Sequence, residues 1–207
     1  ADGSDAGLCG NGSRCLALFA KQQGFKNQQV FIVHNAIYKA TVDESNQQVS
    51  ISFPDVKLPQ NLDLNNSSFI QVYTGTEHVV TFVDEATLTD EQTLISTGRS
   101  IRNHETLNPP GTNVNFISQK DGSTIDLQTY ERGVENLTLA CGTGAMASAI
   151  AHHFKTVGGE SGNFEYKIHV KGGLLIVKFY FNPDTNVYTN IELEGPANFV
   201  YKGTFDV

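Results

Sequence analysis

The 207-residue sequence has no run approaching the roughly 18 apolar residues of a membrane-spanning helix. Its first residues, Ala1-Asp2-Gly3-Ser4-Asp5, lack the basic and apolar regions of a secretory signal. The expected compartment is therefore the cytoplasm. Lys and Arg are few and unclustered in a chain of net charge -8, which argues against a nucleic-acid partner or an anionic membrane surface. Cysteine is scarce: Cys9, Cys15 and Cys141 cannot all pair with one another, so they read as reduced thiols rather than a secreted disulfide framework. There is no Gly-Lys-Ser/Thr phosphate loop, and Cys9-Gly10-Asn11-Gly12 is not a Gly-x-Gly-x-x-Gly fingerprint, so no nucleotide cofactor is expected. The histidines are scattered. His152 and His153 are adjacent on a helical segment and point about 100° apart, which leaves no metal site in view. A small-molecule site remains open.

What is present is mostly strand. Short runs rich in Val, Ile, Phe, Tyr and Thr at 29–34, 37–42, 49–53, 69–73, 79–83, 113–118, 124–130, 164–170, 174–181 and 188–193 are separated by Gly, Pro, Asn and Asp. They predict a largely antiparallel sheet, with a tight hairpin at Gly172-Gly173 and a turn at Asn182-Pro183-Asp184. Helices are few. Cys9-Gly10-Asn11-Gly12 leads into a helix over 13–23, and Cys141-Gly142-Thr143-Gly144 leads into an alanine-rich one over 145–155. A third is expected over 90–97, with Thr89 as its N-cap and Gly98 as its stop. Cys15 falls inside the first helix and reads as a core residue.

The repeated Cys-Gly-x-Gly start predicts an α/β (α+β) fold of two pseudo-symmetric lobes, each offering one helix N-terminus to a site between them. The polar, proline-containing stretch 54–66 marks the crossing. The N-terminal lobe is placed at 1–53 plus 195–207 and the C-terminal lobe at 54–194.

That arrangement points to inversion of a carbon centre. The positive end of a helix dipole and its unpaired N–H groups favour a thiolate and hold a carboxylate. The four glycines Gly10, Gly12, Gly142 and Gly144 admit close approach of the backbone. Two bases, one on each face of an α-carbon, can remove and return a proton, so Cys9 and Cys141 are the candidate acid and base of a cofactor-independent racemase or epimerase.

At these residues the sequence resembles the diaminopimelate epimerase family. The likeness runs through Ala-Asp-Gly-Ser at Ala1–Ser4, Cys-Gly-Asn-Gly-Ser-Arg-Cys at Cys9–Cys15, and Gly-Thr-Asn-Val-Asn-Phe at Gly111–Phe116. It continues through Glu-Arg-Gly at Glu131–Gly133, Leu-Ala-Cys-Gly-Thr-Gly ending at Gly144, Lys-Gly-Gly at Lys171–Gly173 and Glu-Gly-Pro-Ala at Glu194–Ala197. The resemblance implies two similar lobes around a cleft, no cofactor, and conversion of LL- to meso-diaminopimelate in lysine and cell-wall precursor synthesis. It also implies residue roles. Cys9 and Cys141 are the acid and base, and Gly10, Asn11, Gly142 and Thr143 hold the reacting carboxylate. Arg132 and Asn113 take the far end of the substrate, Glu131 lies near its ammonium group, and His78 assists proton movement.

The chain departs from the family pattern in three places. Thr76 stands where an asparagine is usual, which bears on recognition of the far end. Asn136-Leu137 stands where an acidic residue is often found. About sixty residues usually precede Ala-Asp-Gly-Ser, so the first lobe is expected to be incomplete, with open edges that favour association, a homodimer being the expected assembly. The alternatives are a two-cysteine racemase of histidine, proline or hydroxyproline, a truncated inactive fragment, and a non-catalytic anion-binding protein.

Overall fold

A computed structural model describes residues 8–64 and 67–204, so the Ala1–Ser4 motif lies outside the described residues. In chain order the elements are α1 (Gly10–Gln22), β1 (Gln28–Val33), β2 (Ala36–Asp43), β3 (Gln48–Phe53), β4 (Val56–Lys57), β5 (Gln60–Leu64), β6 (Ser67–Tyr73) and β7 (Glu77–Phe82). After them come α2 (Glu85–Thr89), α3 (Glu91–Arg102), β8 (Asn113–Gln119), β9 (Thr124–Glu131), β10 (Asn136–Leu137), α4 (Gly142–Thr156), β11 (Gly162–Val170), β12 (Gly173–Asn182) and β13 (Val187–Pro196).

The strands form one continuous sheet in the order β1-β2-β3-β13-β12-β11-β9-β8-β7-β6-β5, with β4 on β13 and β10 on β9. Pairing is antiparallel except at β7/β8 and β9/β11, where helices supply the crossover between parallel neighbours. The fold is thus mixed α/β and mostly sheet, as the strand patterning predicts. Strand β13 is the joint: it pairs with β12 on one side and β3 on the other.

The sheet wraps around α4, which touches β6 to β9 and β11 to β13. Every residue from Gly142 to His153 is buried. Glycine, alanine and serine at most of these positions keep the helix thin enough for strands to close on all sides, and Met146 and Ile150 meet Ile117, Ile125, Ile168 and Val177 in the main core. A second core lies between α3 and the outer face of β8 and β9, where Leu94 and Ile101 pack with Val114, Phe116 and Tyr130. Because β8 is sandwiched between two helical layers, it is buried on both faces from Asn113 to Ile117. A smaller third core joins Ala17 of α1 to Ala40, Val42, Val49 and Ile51 of β2 and β3.

Several sequence expectations need correction. Cys15 is exposed rather than core, because α1 buries the stripe Gly10, Ser13, Arg14 and Ala17 and turns Cys15, Leu16 and Phe19 outward. Two strands the patterning did not predict, β4 and β5, lie within 54–64. Thr89 ends α2, and the cap of α3 is Asp90, whose carboxylate accepts the Thr93 N–H at 3.2 Å. Gly98 does not stop α3. It lies inside the helix, where a Cβ would fall 2.6 Å from Tyr130 Cβ, so glycine lets α3 sit directly on β9. Among the described residues no helix is long and apolar enough to cross a membrane.

Candidate active site

Cys9 and Cys141 occupy equivalent places, each the extended N-cap residue of its helix, α1 and α4. The Gly12 N–H donates to Cys9 Sγ at 3.4 Å. The helix starts abut. A Cβ on Gly10 would lie 2.9 Å from Leu193 Cδ2 and 3.4 Å from the Gly142 Cα, and one on Gly142 would lie 2.7 Å from Leu193 Cδ2 and 3.3 Å from the Gly10 Cα. Gly144 packs on the Asn115 amide oxygen, 2.5 Å from where its Cβ would be. Three of the four glycines are therefore explained by packing alone, and Gly12, whose Cβ would meet only Cys9, is the exception. The positive ends of two helix dipoles thus meet at one place in the fold.

The two cysteines are not alike. Cys9 is exposed and Cys141 buried. Burial, reinforced by the negative charge of Glu131, pushes the Cys141 thiol up to about 11, so it carries its proton at neutral pH. Behind Cys141 runs a chain of hydrogen bonds. Its Sγ lies 3.5 Å from Thr143 Oγ1, which lies 3.5 Å from Thr76 Oγ1, and that hydroxyl is 2.9 Å from His78 Nε2. On the other side of the ring, His78 Nδ1 is 3.1 Å from Asn115 Nδ2. The same Nδ2 donates to the Val79 carbonyl at 3.1 Å, and the Asn115 carbonyl oxygen accepts from Thr129 Oγ1 at 2.9 Å. These partners fix the amide orientation and hence the tautomer. Nδ1 accepts, Nε2 donates to Thr76, Thr76 donates to Thr143, and Thr143 is left to donate to the Cys141 sulfur.

His78 is fully enclosed, and burial together with the nearby Arg132 charge lowers its pKa to about 3. His153, inside α4 among Phe164, Phe179, Phe181 and Tyr188, is lowered to about 4, first by burial and then by His152. Both values lie below the ordinary 6.5, so the unfolded chain takes up protons that the folded one refuses. Stability from these rings is complete above about pH 6.5 and is lost as pH falls toward 4 and then 3. The expected NMR result is that the ring carbons of His78 and His153 hold their neutral-form shifts down to pH 5 while the urea midpoint declines over the same range. Titration of either ring near pH 6.5 in the folded protein would contradict this.

Asn113, Glu131 and Arg132 cluster where β7 and β8 begin and β9 ends. The Asn113 side chain is a bracket: Nδ2 donates to the Glu77 carbonyl at 3.0 Å and Oδ1 accepts the Arg132 N–H at 2.9 Å. Arg132 Nη1 donates to the Pro110 carbonyl at 2.7 Å, which holds the guanidinium against the 110–113 loop. The turn carrying Glu131 and Arg132 is tied by Glu135, whose carboxylate accepts from Gly133 N at 3.0 Å, Arg102 Nε at 3.2 Å and the Tyr130 hydroxyl at 3.3 Å. The acidic residue that organises this turn is therefore Glu135, immediately before Asn136. Asn11 reaches across the helix junction, its Nδ2 donating to the Ala140 carbonyl at 3.1 Å. The Gly172 N–H at the β11–β12 hairpin holds the neighbouring Leu139 carbonyl at 2.7 Å.

Sequence reasoning missed Asn115, Thr129, Thr74 and Arg14. Asn115 had a signal, since it stands two residues after Asn113 on the same face of a strand. Thr74, whose hydroxyl donates to the Thr143 carbonyl at 3.2 Å, had none.

The fold, a sheet wound around a central helix, is shared with a phenazine biosynthesis protein of the PhzF family from Bacillus anthracis, at TM-score 0.67 and 13% identity over 91% of this chain and 73% of that one. It is also that of a hydroxyproline epimerase from Agrobacterium vitis, at TM-score 0.66 and 15% identity over 92% and 65% of the two chains. Sequence narrows the class. The profile of the diaminopimelate epimerase family matches residues 70–200. A diaminopimelate epimerase of Flavobacterium psychrophilum is 38% identical over 98% of this chain and 75% of its own length, and one of Aquifex aeolicus is 41% identical over 74% and 56%. The chain belongs to the diaminopimelate epimerase family, and so to the isomerases that act as amino-acid epimerases.

Proposed function

We propose that this chain interconverts LL- and meso-diaminopimelate by proton transfer between two cysteines. The observation that carries the reading is the apposition of Gly10 and Gly142, which sets two cysteine-capped helix starts side by side. The carboxylate beside the reacting carbon lies on the helical N–H groups, where the dipole ends and hydrogen bonds stabilise the charge that builds up as the α-proton leaves. Cys9, the exposed sulfur, takes that proton as a thiolate, and the C–H electron pair passes to the α-carbon and its carboxylate. The Cys141 thiol, protonated at neutral pH, then delivers its own proton to the opposite face. As its sulfur becomes anionic, the Thr143 hydroxyl donates to it, backed by Thr76 and the neutral His78. The reverse reaction exchanges the roles.

Arg132, braced by Pro110 and Asn113, grips the distal carboxylate in a planar fork, which favours a substrate with a second acid group over proline or histidine. Glu131 faces the substrate ammonium. No cofactor takes part, and a reduced cytoplasmic setting suits a site of two free thiols.

The test is incubation of the reduced chain with LL-diaminopimelate in D₂O, following the α-proton signal by NMR beside a Cys9→Ala/Cys141→Ala double variant. Loss of the signal with appearance of the meso isomer, absent from the double variant, is expected. Exchange in the double variant would overturn the mechanism. Turnover of proline, hydroxyproline or histidine in its place would overturn the substrate.

A further inference from the structure

Arg14 is a buried cation that no step above uses. It is 5% exposed, in the middle of α1, and none of the ion pairs among the described residues includes it. Burial lowers its pKa, yet a guanidinium keeps its charge through any working pH. An enclosed charge is costly to retain unless hydrogen-bond acceptors meet it. Here each of its three nitrogens finds an oxygen acceptor: Nη2 donates to Asn11 Oδ1 at 2.8 Å, Nη1 to the Gly10 carbonyl at 3.3 Å and Nε to the Pro196 carbonyl at 3.4 Å. Gly195 makes room, since a Cβ there would lie 3.3 Å from Arg14 Cζ.

The consequence falls on Asn11. An asparagine amide can rotate by 180° and exchange its oxygen and nitrogen ends. With Arg14 bound to the oxygen, the nitrogen end must face the Ala140 carbonyl, one residue before Cys141. The three acceptors lie on the first turn of α1 and on β13, and the amide they orient reaches the start of α4. We propose that Arg14 is a positioning residue for catalysis: by orienting Asn11 it locks the turn carrying Cys141 to the helix start carrying Cys9, so that both sulfurs face one α-carbon at a fixed separation. The inference rests on the two-cysteine reading for its catalytic half only, and the link itself is geometric.

Two readouts on Asn11→Ala, Arg14→Gln, Arg14→Lys and the Asn11→Ala/Arg14→Gln double variant test it. The first is kcat and KM for LL-diaminopimelate. Each single substitution is expected to lower kcat about 10- to 100-fold with KM changed less than threefold, as misplacement of reacting groups does. The double variant falls no further than the worse single one, because both break the same link. Arg14→Lys, which keeps the charge and loses the fork, falls with Arg14→Gln and away from wild type.

The second readout is hydrogen–deuterium exchange of the peptide covering residues 138–141, with the turn between β8 and β9 at residues 119–124 as internal reference. Exchange at 138–141 is expected to quicken about tenfold in all three single variants and no more in the double, the β8–β9 turn staying unchanged. A wild type that epimerises nothing would sink the functional reading and leave the exchange result to decide the link. Multiplicative losses in the double variant, wild-type kcat in Arg14→Gln, or unaltered exchange at 138–141 would each overturn the proposal.

Discussion

Serine at position 141 is expected to lower epimerisation about a thousandfold and to leave one half-reaction standing. In the proposed mechanism the buried thiol, held protonated by its surroundings and approached by the Thr143 hydroxyl, delivers a proton to the face opposite Cys9. A hydroxyl is a far weaker acid than a thiol, and removal of a positioned acid or base costs 10²- to 10⁴-fold. With Cys9 intact, abstraction from the isomer whose α-proton faces it persists, so in D₂O that isomer alone still exchanges, without inversion. Cys9→Ser should show the mirror pattern, exchanging only the other isomer. Following each purified stereoisomer separately by NMR decides the matter. If both variants lose exchange from both isomers alike, or either keeps the wild-type rate of inversion, the two faces are not served by separate sulfurs.

Alanine at position 142 is expected to be almost as damaging, although it removes no functional group. Its methyl would stand 2.7 Å from Leu193 Cδ2, and Leu193 is fully buried in β13 with no room to retreat; on the other side is the Gly10 backbone at 3.3 Å. The helix starts must part. Overpacking of this kind destabilises by about 1–3 kcal/mol, and a shift of roughly an ångström between reacting groups costs about 10²-fold in rate. Gly12→Ala is the control, since its Cβ would touch only Cys9, at 3.6 Å or more, and its urea midpoint should stay much nearer wild type. Wild-type stability and kcat in Gly142→Ala would show that the close approach of the two helices is incidental.

The parts of this fold that could be read from sequence are those in which one side chain reports one environment. Strands such as β2, alternating buried and exposed from Tyr38 to Asp43, carry their period in the sequence. The twin Cys-Gly-x-Gly segments announced two helix starts because glycine beside a cap is a local signal. What escaped was set by distant partners. Cys15 and Leu16 look like core because they are apolar, yet α1 packs through Arg14, Ser13 and two small residues, so its buried face is the less hydrophobic one. Gly98 reads as a stop, and only the presence of Tyr130 reveals that it is a contact. The strand β5, Gln-Asn-Leu-Asp-Leu, is polar because it lies at the end of the sheet order, where water covers what a neighbour would elsewhere. The relay behind Cys141 draws on three strands, and no spacing along the chain could have assembled it.

The pairing of β3 with β13 carries a consequence for how the molecule comes into being. It brings together Ser50 and Glu194, 144 residues apart, and the bond from Asn11 to Ala140 spans 129. Such distant partners can meet only after the intervening strands have organised, since the chain entropy lost in closing so large a loop is repaid by nothing formed along the way. The hairpin of β11 and β12 and the meander of β1 to β3 need only their own neighbours. The abutting helix starts are therefore a product of the last, most non-local step of folding, and a nascent or partly unfolded chain holds Cys9 and Cys141 apart until the whole topology has closed.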